Sequence, residues 1–321
     1  MTLKTMIVTD QAFGNVVHEQ EAAQAAGAIF QHFQCKDEEE TIAAVSQANV
    51  VLNNFAPMTR RVMQSLAPGA VIIRYGVGVD NVDLAAARDL HVSVCNVPDY
   101  GIEDVADHAS AFALALGRRL PQFDLAVRQG VWGVANVTRH LRSLGDCTVG
   151  TVGYGRIARA FHQRMAGFTA RALAYDPFVP AEVAQAEGVE LVGLEELIAN
   201  SHILSLHVPA TEQTRHMINA ERLAKMPAGS LLINVSRGGL VDEEALASAL
   251  QNGHLAGAGL DVFEQEPPNL NSTLFKAPNL LCSPHAAFFS DKSVKNLQIL
   301  AAQEASRALR GEALRCPVVG G

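Results

Sequence analysis

The chain has 321 residues, 49% hydrophobic and 18% charged, spread without low-complexity tracts, which describes an ordered globular protein with room for two domains. A net charge of −8 argues against a nucleic-acid surface, and any anionic small substrate must be held by local cations against an unfavourable mean field. The five cysteines, Cys35, Cys95, Cys147, Cys282 and Cys316, are scattered and form no CxxC pair, so neither a disulfide framework nor a thiolate zinc site is indicated. With no apolar signal region at the start and no stretch of membrane-spanning length, the expectation is a soluble cytoplasmic protein that binds neither nucleic acid nor membrane.

Taken in chain order, short apolar runs at Thr5–Thr9, Ala48–Leu52, Ala70–Arg74 and Val92–Asn96 read as strands, with helical patterns at Glu19–Gly27 and Glu38–Ser46 between them. Strand alternating with helix predicts a parallel, doubly wound α/β sheet. Pro98 then opens a different texture. Asp104–Arg119 is an alanine- and leucine-rich helix whose apolar positions Val105, Ala109, Phe112, Ala113 and Leu116 suit packing against another helix. After Gly145 the alternation restarts, with strands expected at Thr148–Val152, Ala170–Tyr175, Ile203–His207, Leu231–Val235 and Gly257–Val262. Asp291–Leu309 is an amphipathic helix with Gly311 beyond its end; if it packs back on the first half, that first domain is discontinuous.

The strand Thr148–Val152 runs into Gly153-Tyr154-Gly155-Arg156-Ile157-Ala158 and then into the helical stretch Ala160–Met165. The first glycine permits a tight turn, the second lets backbone approach a pyrophosphate, and Ala158 lets the helix lie close to the strand. Tight strand-to-helix turns also use glycine for steric reasons alone. Asp176, 23 residues beyond Gly153 at the end of the next strand, adds a carboxylate suited to ribose hydroxyls and hostile to a 2′-phosphate, which favours NAD over NADP.

Three further residues lie in short, distinctive contexts: Arg237 in NVSRGGLVDEEAL, Glu266 in GLDVFEQEP and His285 in SPHAA. An arginine can grip a carboxylate and polarise a carbonyl, while a histidine coupled to a carboxylate can deliver a proton near neutrality. Singly, each reads equally as a loop cation, a turn acid or a hydrogen-bonded histidine. The remaining histidines have no metal-ligand spacing with acidic or thiol partners, and no metal is assigned.

From the glycine turn through these contexts the chain resembles the D-isomer-specific 2-hydroxyacid dehydrogenases along nearly its whole length. The resemblance implies a Rossmann NAD domain over residues 99–289 and a flavodoxin-like substrate domain over 1–98 and 290–321, with an inter-domain cleft. It implies hydride transfer between NAD(H) and a small D-2-hydroxy or 2-keto acid, with Arg237, Glu266 and His285 catalytic. Gly153, Gly155, Arg156, Ile157, Asp176, His207, Val235 and Asp261 are the implied cofactor contacts, Asp261 at the nicotinamide carboxamide. Arg74-Tyr75-Gly76-Val77-Gly78-Val79-Asp80-Asn81 is similar to the family's substrate loop, in which the amides at Gly76 and Val77 receive the carboxylate and Arg74 adds a cation. Asn53, Phe55, Tyr75, Tyr100 and Phe288 are the expected pocket residues. Trp132 resembles the dimer-arm region, so a homodimer is expected.

Within the family, the phosphoglycerate branch shares the RGG and VDNVD segments but carries an arginine where this chain reads Leu52-Asn53-Asn54-Phe55, and its long forms append a regulatory domain, whereas this chain stops at Gly321. An unphosphorylated substrate of the hydroxypyruvate or glyoxylate kind is therefore favoured over 3-phosphoglycerate. SPHAAFFS also resembles a segment of the C-terminal-binding proteins, with Phe288 in place of a tryptophan, which leaves an NAD-sensing dimeric interaction module as the alternative of a different class.

Overall fold

The computed structural model describes residues 3–138 and 140–320, which divide into two compact units, 1–101 with 290–321 and 102–289. The first unit opens with β1 (Thr5–Val8), α1 (Val17–Ala25), β2 (Ile29–His32), α2 (Glu38–Val45), β3 (Val50–Asn53), α3 (Arg60–Gln64), β4 (Val71–Arg74), α4 (Leu84–Asp89) and β5 (Ser93–Cys95). The second contains α5 (Ile102–Gly117), α6 (Leu120–Arg128), β6 (Thr148–Val152), α7 (Arg156–Met165), β7 (Arg171–Tyr175), α8 (Ala181–Gln185), β8 (Glu190–Leu191), α9 (Leu194–Asn200), β9 (Ile203–Leu206), α10 (Ala220–Lys225), β10 (Ser230–Asn234), α11 (Glu243–Gln251), β11 (Leu255–Leu260) and β12 (Leu280–Cys282). The chain then returns to the first unit as α12 (Asp291–Arg310) and β13 (Pro317–Val319).

In the first unit the sheet order is β13-β5-β4-β3-β1-β2. Its strands are parallel except β13, which pairs antiparallel with β5 and which the sequence pattern did not disclose. Side chains alternate between two cores, as strand geometry requires. Ile7, Val51, Ile72 and Val94 pack under α2, α3 and α4, whereas Met6, Val8, Leu52 and Ile73 pack against Leu297, Ala301 and Ala305 of α12. Helix α12 starts in a Ser290/Ser293 capping box and ends at Gly311 in a left-handed conformation.

The second unit holds a seven-stranded parallel sheet, β12-β11-β10-β9-β6-β7-β8. Ile203, Leu231 and Ile233 face α5 and α7, while Leu204, Leu206, Leu232 and Leu260 face the opposite core with Leu223 and Leu246 of α10 and α11. The apolar stripe of α5 (Ala109, Phe112, Ala113, Leu116) is spent inside this unit, against α7 and the sheet. Helix α6 buries none of its residues, and Leu120, Leu125, Val127, Trp132 and Val134 are all more than half exposed. Among the described residues no helix is long and apolar enough to cross a membrane.

Under the β6–α7 turn, His162 is buried with Nε2 3.0 Å from Thr151 Oγ1, and burial pushes its ring down to about 4. The neutral ring therefore contributes stability that is fully present above the unfolded value of 6.5 and is lost as pH falls towards 4. Urea unfolding of the wild type should lose on the order of 3 kcal/mol across that window through this residue. The loss should be correspondingly smaller in His162→Gln.

Candidate active site

Open parallel sheets bind ligands beyond the carboxyl ends of their strands, where the strand order reverses. In the second unit that reversal falls between β6 and β9. Gly153, directly after β6, has φ of 91°, and a Cβ there would lie 2.5 Å from the carbonyl oxygen of His207, so the turn admits only glycine. Helix α7 starts after Gly155 with no side chain capping its first amides, and the space where a Cβ of Gly155 would stand is open. Helices α2, α4, α10 and α11 are capped by Asp37, Asp83, Asn219 and Asp242. Asp176 accepts from the amides of Tyr154 (2.8 Å) and Phe178 (2.9 Å), which leaves each carboxylate oxygen with acceptor capacity to spare. A glycine-only turn, a helix start whose N-cap Gly155 brings no side chain, and a carboxylate with acceptor capacity to spare suit a dinucleotide.

His207 and Val235 enter this region differently from one another. The His207 ring bonds Ser205 Oγ (2.9 Å) and stacks 5.5 Å from Phe161, and burial lowers its pKa to about 3, so the ring is neutral and its carbonyl is the group that borders Gly153. Val235 is 8% exposed just beyond β10 and belongs to the core under α5 and α7.

The three distinctive contexts converge in the same unit. Buried Asn234, at the end of β10, donates to the carbonyl of Arg237 (2.8 Å) and accepts from the Ser236 amide (3.1 Å), which shapes the turn bearing the arginine. A Cβ on Gly238 would overlap the Phe263 carbonyl and the Glu264 amide; the absence of a side chain lets the two loops touch. Glu266 Oε1 accepts from the Phe263 amide (3.1 Å), and Oε2 meets His285 Nδ1 at 2.7 Å. Burial opposes ionisation of Glu266, but the hydrogen bond and charge of His285, the Phe263 amide and the charge of Arg237 together hold its carboxyl below the usual range. With Nδ1 engaged, Nε2 is the nitrogen left for substrate.

His285 has φ of +52°, a conformation that costs a β-carbon residue roughly 1–3 kcal/mol and persists only where the surroundings impose it. Asp261 imposes it. Its carbonyl accepts from the His285 amide (2.8 Å), and its 1%-exposed carboxylate accepts from the amides of Ala286 (2.8 Å) and Ala287 (2.9 Å) and from the Ser283 hydroxyl. The carboxylate expected at the nicotinamide is here the anchor of the histidine loop.

In the first unit, Gly76 has φ of 124° and its carbonyl accepts from the Val97 amide (2.9 Å); the Asn96 side chain holds the carbonyl of Val77 (2.7 Å), itself 45% exposed. The Arg74 guanidinium lies against the face of Gly76. Tyr75 and Asn53, expected in a pocket, are fully buried instead. The Tyr75 hydroxyl donates to buried Glu19 (2.8 Å), and Asn53 joins Asn81 (2.7 Å) and the carbonyl of Ala56 (2.8 Å). Phe55 is exposed, and Tyr100 and Phe288 are half-buried.

Asp10, absent from the sequence reading, accepts from the amides of Asn54 (3.1 Å) and Phe55 (2.6 Å) and so sets the loop after β3. Its signal was available: an acid just past the strand at which the order reverses. Ser283 lies inside the SPHAA context, and His108 of α5, which no sequence motif marks, lies 2.8 Å from it. Among the described residues no group of three or more His, Cys, Asp or Glu could hold a metal.

Residues 110–287 match the family model for the NAD-binding domain of D-isomer-specific 2-hydroxyacid dehydrogenases. A D-3-phosphoglycerate dehydrogenase of Methanocaldococcus jannaschii is 36% identical over 85% of this chain and 52% of its own length. The chain thus spans about half the length of several curated relatives that it matches. A glyoxylate reductase of Korarchaeum cryptofilum is 39% identical over 80% of this chain and 78% of that protein. The crystal structure of a D-lactate dehydrogenase from Aquifex aeolicus, complexed with NAD and lactic acid, has a TM-score of 0.88 at 27% identity, covering 98% of this chain and 99% of that one. The chain belongs to the D-isomer-specific 2-hydroxyacid dehydrogenase family.

Proposed function

We propose that the protein is an NAD-dependent oxidoreductase interconverting a small, unphosphorylated D-2-hydroxy acid and its 2-keto acid. The observation that carries the reading is the Glu266–His285 pair, 2.7 Å apart and within the field of Arg237, in the unit that also bears the Gly153 turn and Asp176. Gly153, Gly155, Arg156, Ile157 and Asp176 would hold the dinucleotide, which supplies the hydride when bound. His285 Nε2 gives a proton to the C2 oxygen in reduction and takes it back in oxidation. Glu266 fixes the ring through Nδ1. Arg237 pairs with the carboxylate and polarises the carbonyl, and the Gly76–Val77 turn is proposed to receive the carboxylate through its amides.

An uncharged substrate tail is favoured because the loop after β3 offers Asn53, Asn54 and Phe55 and no cation. The arginines that follow are already engaged, Arg60 by Asp89 and Arg61 by Glu38 and Glu39. Hydroxypyruvate or glyoxylate fits this better than a phosphorylated acid, although the name of the archaeal relative keeps 3-phosphoglycerate as the runner-up. Five cysteines, none in a disulfide, suit a cytoplasmic location. A homodimer is proposed through the uncovered apolar side chains between Leu120 and Val134, because contiguous exposed apolar surface of this kind marks an interface. A C-terminal-binding-protein-like interaction module is the alternative.

The deciding measurement is NADH oxidation against a panel of 2-keto acids. Arg237→Ala and His285→Ala should each lower turnover with the preferred acid by about a hundredfold or more while NADH affinity stays nearly intact. Turnover no higher than in Arg237→Ala for every acid, with NADH still bound, would sink the enzyme reading in favour of the interaction module. In Glu266→Gln the ring loses the carboxylate that holds Nδ1, so keto-acid reduction should fall by about tenfold with NADH affinity nearly intact. Sedimentation should give a dimer for the wild type, and Trp132→Asp with Val127→Asp should shift it to monomer.

A further inference from the structure

His108 projects from α5, far from the catalytic contexts in sequence, yet its Nε2 lies 2.8 Å from Ser283 Oγ and 3.9 Å from Asp261 Oδ1. The direction of this hydrogen-bond chain follows from donor counting. A serine hydroxyl has one hydrogen, and that of Ser283 goes to Asp261, whose carboxylate can only accept. Ser283 must therefore accept from His108, which places the imidazole proton on Nε2. The chain runs His108 to Ser283 to Asp261, and the same carboxylate takes the amides of Ala286 and Ala287. These residues follow His285 directly, in the loop whose left-handed turn has to be imposed.

The far end of the chain is rigid. The His108 ring meets Phe112 edge-on at 4.7 Å, and α5 is fastened by the core it shares with α7, β10 and β11. Without a donor from His108, the Ser283 hydroxyl is free to rotate and divide its hydrogen among other acceptors, and Asp261 loses one of the bonds that orient its carboxylate. The loop that carries His285 would then be held by fewer fixed contacts, with every group that touches substrate still present.

We propose that His108 is a positioning residue, which holds the His285 loop in register by donating through Ser283 to Asp261. The kinetic part of this inference rests on the proposed reduction of a keto acid; the structural part does not.

The test compares His108→Phe, which keeps the ring and its edge contact but removes the donor, with His108→Gln, which restores one, and with Ser283→Ala. In His108→Phe, amide hydrogen exchange at Ala286 and Ala287 should accelerate by about tenfold or more, while exchange in β10 and β11 stays unchanged. His108→Gln should return it to within about threefold of wild type. In turnover, His108→Phe should lower kcat by about tenfold with KM for keto acid and NADH within about twofold, and the His108→Phe, Ser283→Ala double variant should be no slower than the slower single one. Unaltered exchange at Ala286 and Ala287 in His108→Phe overturns the proposal, as do rate losses that multiply in the double variant. If the wild type reduces no 2-keto acid, the functional reading fails on its own, and the exchange comparison alone decides the role of His108.

Discussion

A single buried carboxylate organises the loop that carries His285. Asp261 stands at the end of β11 with 1% of its surface exposed, and its four acceptor contacts, three to the side chain and one to the carbonyl, all go to residues 283–287. A charge taken out of water in this way is tolerated only when hydrogen bonds replace the lost solvation. The loop supplies them, and in return its histidine is held in a backbone conformation that it would not adopt alone. Because Glu266 orients the ring and Asp261 orients the backbone, side chain and main chain of His285 are fixed by two different acids on one excursion of the chain, 261–266.

The same economy of buried acids recurs in the first unit. Asp10 collects the amides of Asn54 and Phe55, Glu19 takes the hydroxyl of Tyr75, and Glu304 accepts from the amide of Arg315. Asp10 and Glu19 join segments distant in sequence, and Glu304 does so through the Cys95 thiol. Burial raises the pKa of Glu19, opposed by its bonds to backbone, Tyr75 and Gln298. Loops at strand ends have no ladder partners for their amides, and inward-pointing carboxylates take that place.

Most of the architecture was legible because the cores are built from strands with strict alternation or unbroken apolar runs; Thr148–Val152 falls where the pattern puts it. Of the strands outside that reading, β12 is a short apolar run (Leu280–Cys282), and the other three had no such pattern. The edge strand β2 buries little and reads Ile-Phe-Gln-His, β8 has two residues, and β13 is recognisable only through its pairing with β5. Arg237, Glu266, His285, Gly153 and Asp176 stand out in the sequence through their immediate neighbours, and the structure sets Glu266 against His285 and Asp176 against the turn after Gly153. Tyr75 and Asn53 were misplaced because facing a cavity or facing a core is decided by Glu19 and Asn81, which local sequence does not reveal. The apolar face of α5 packs against α7, and the exposed apolar side chains lie on α6 and the segment after it.

The return of α12 and β13 to the first unit bears on the order in which the protein can be made. Residues 102–289 are contiguous, so the seven-stranded sheet can close while later residues are still being added at the ribosome. The six-stranded sheet, begun first, waits with Met6, Leu52 and Ile73 uncovered until α12 emerges, and it lacks its β5 edge partner until residue 319 is in place. During synthesis, the sheet begun first is therefore the later of the two to be completed, and its strands stay open to mispairing for longer.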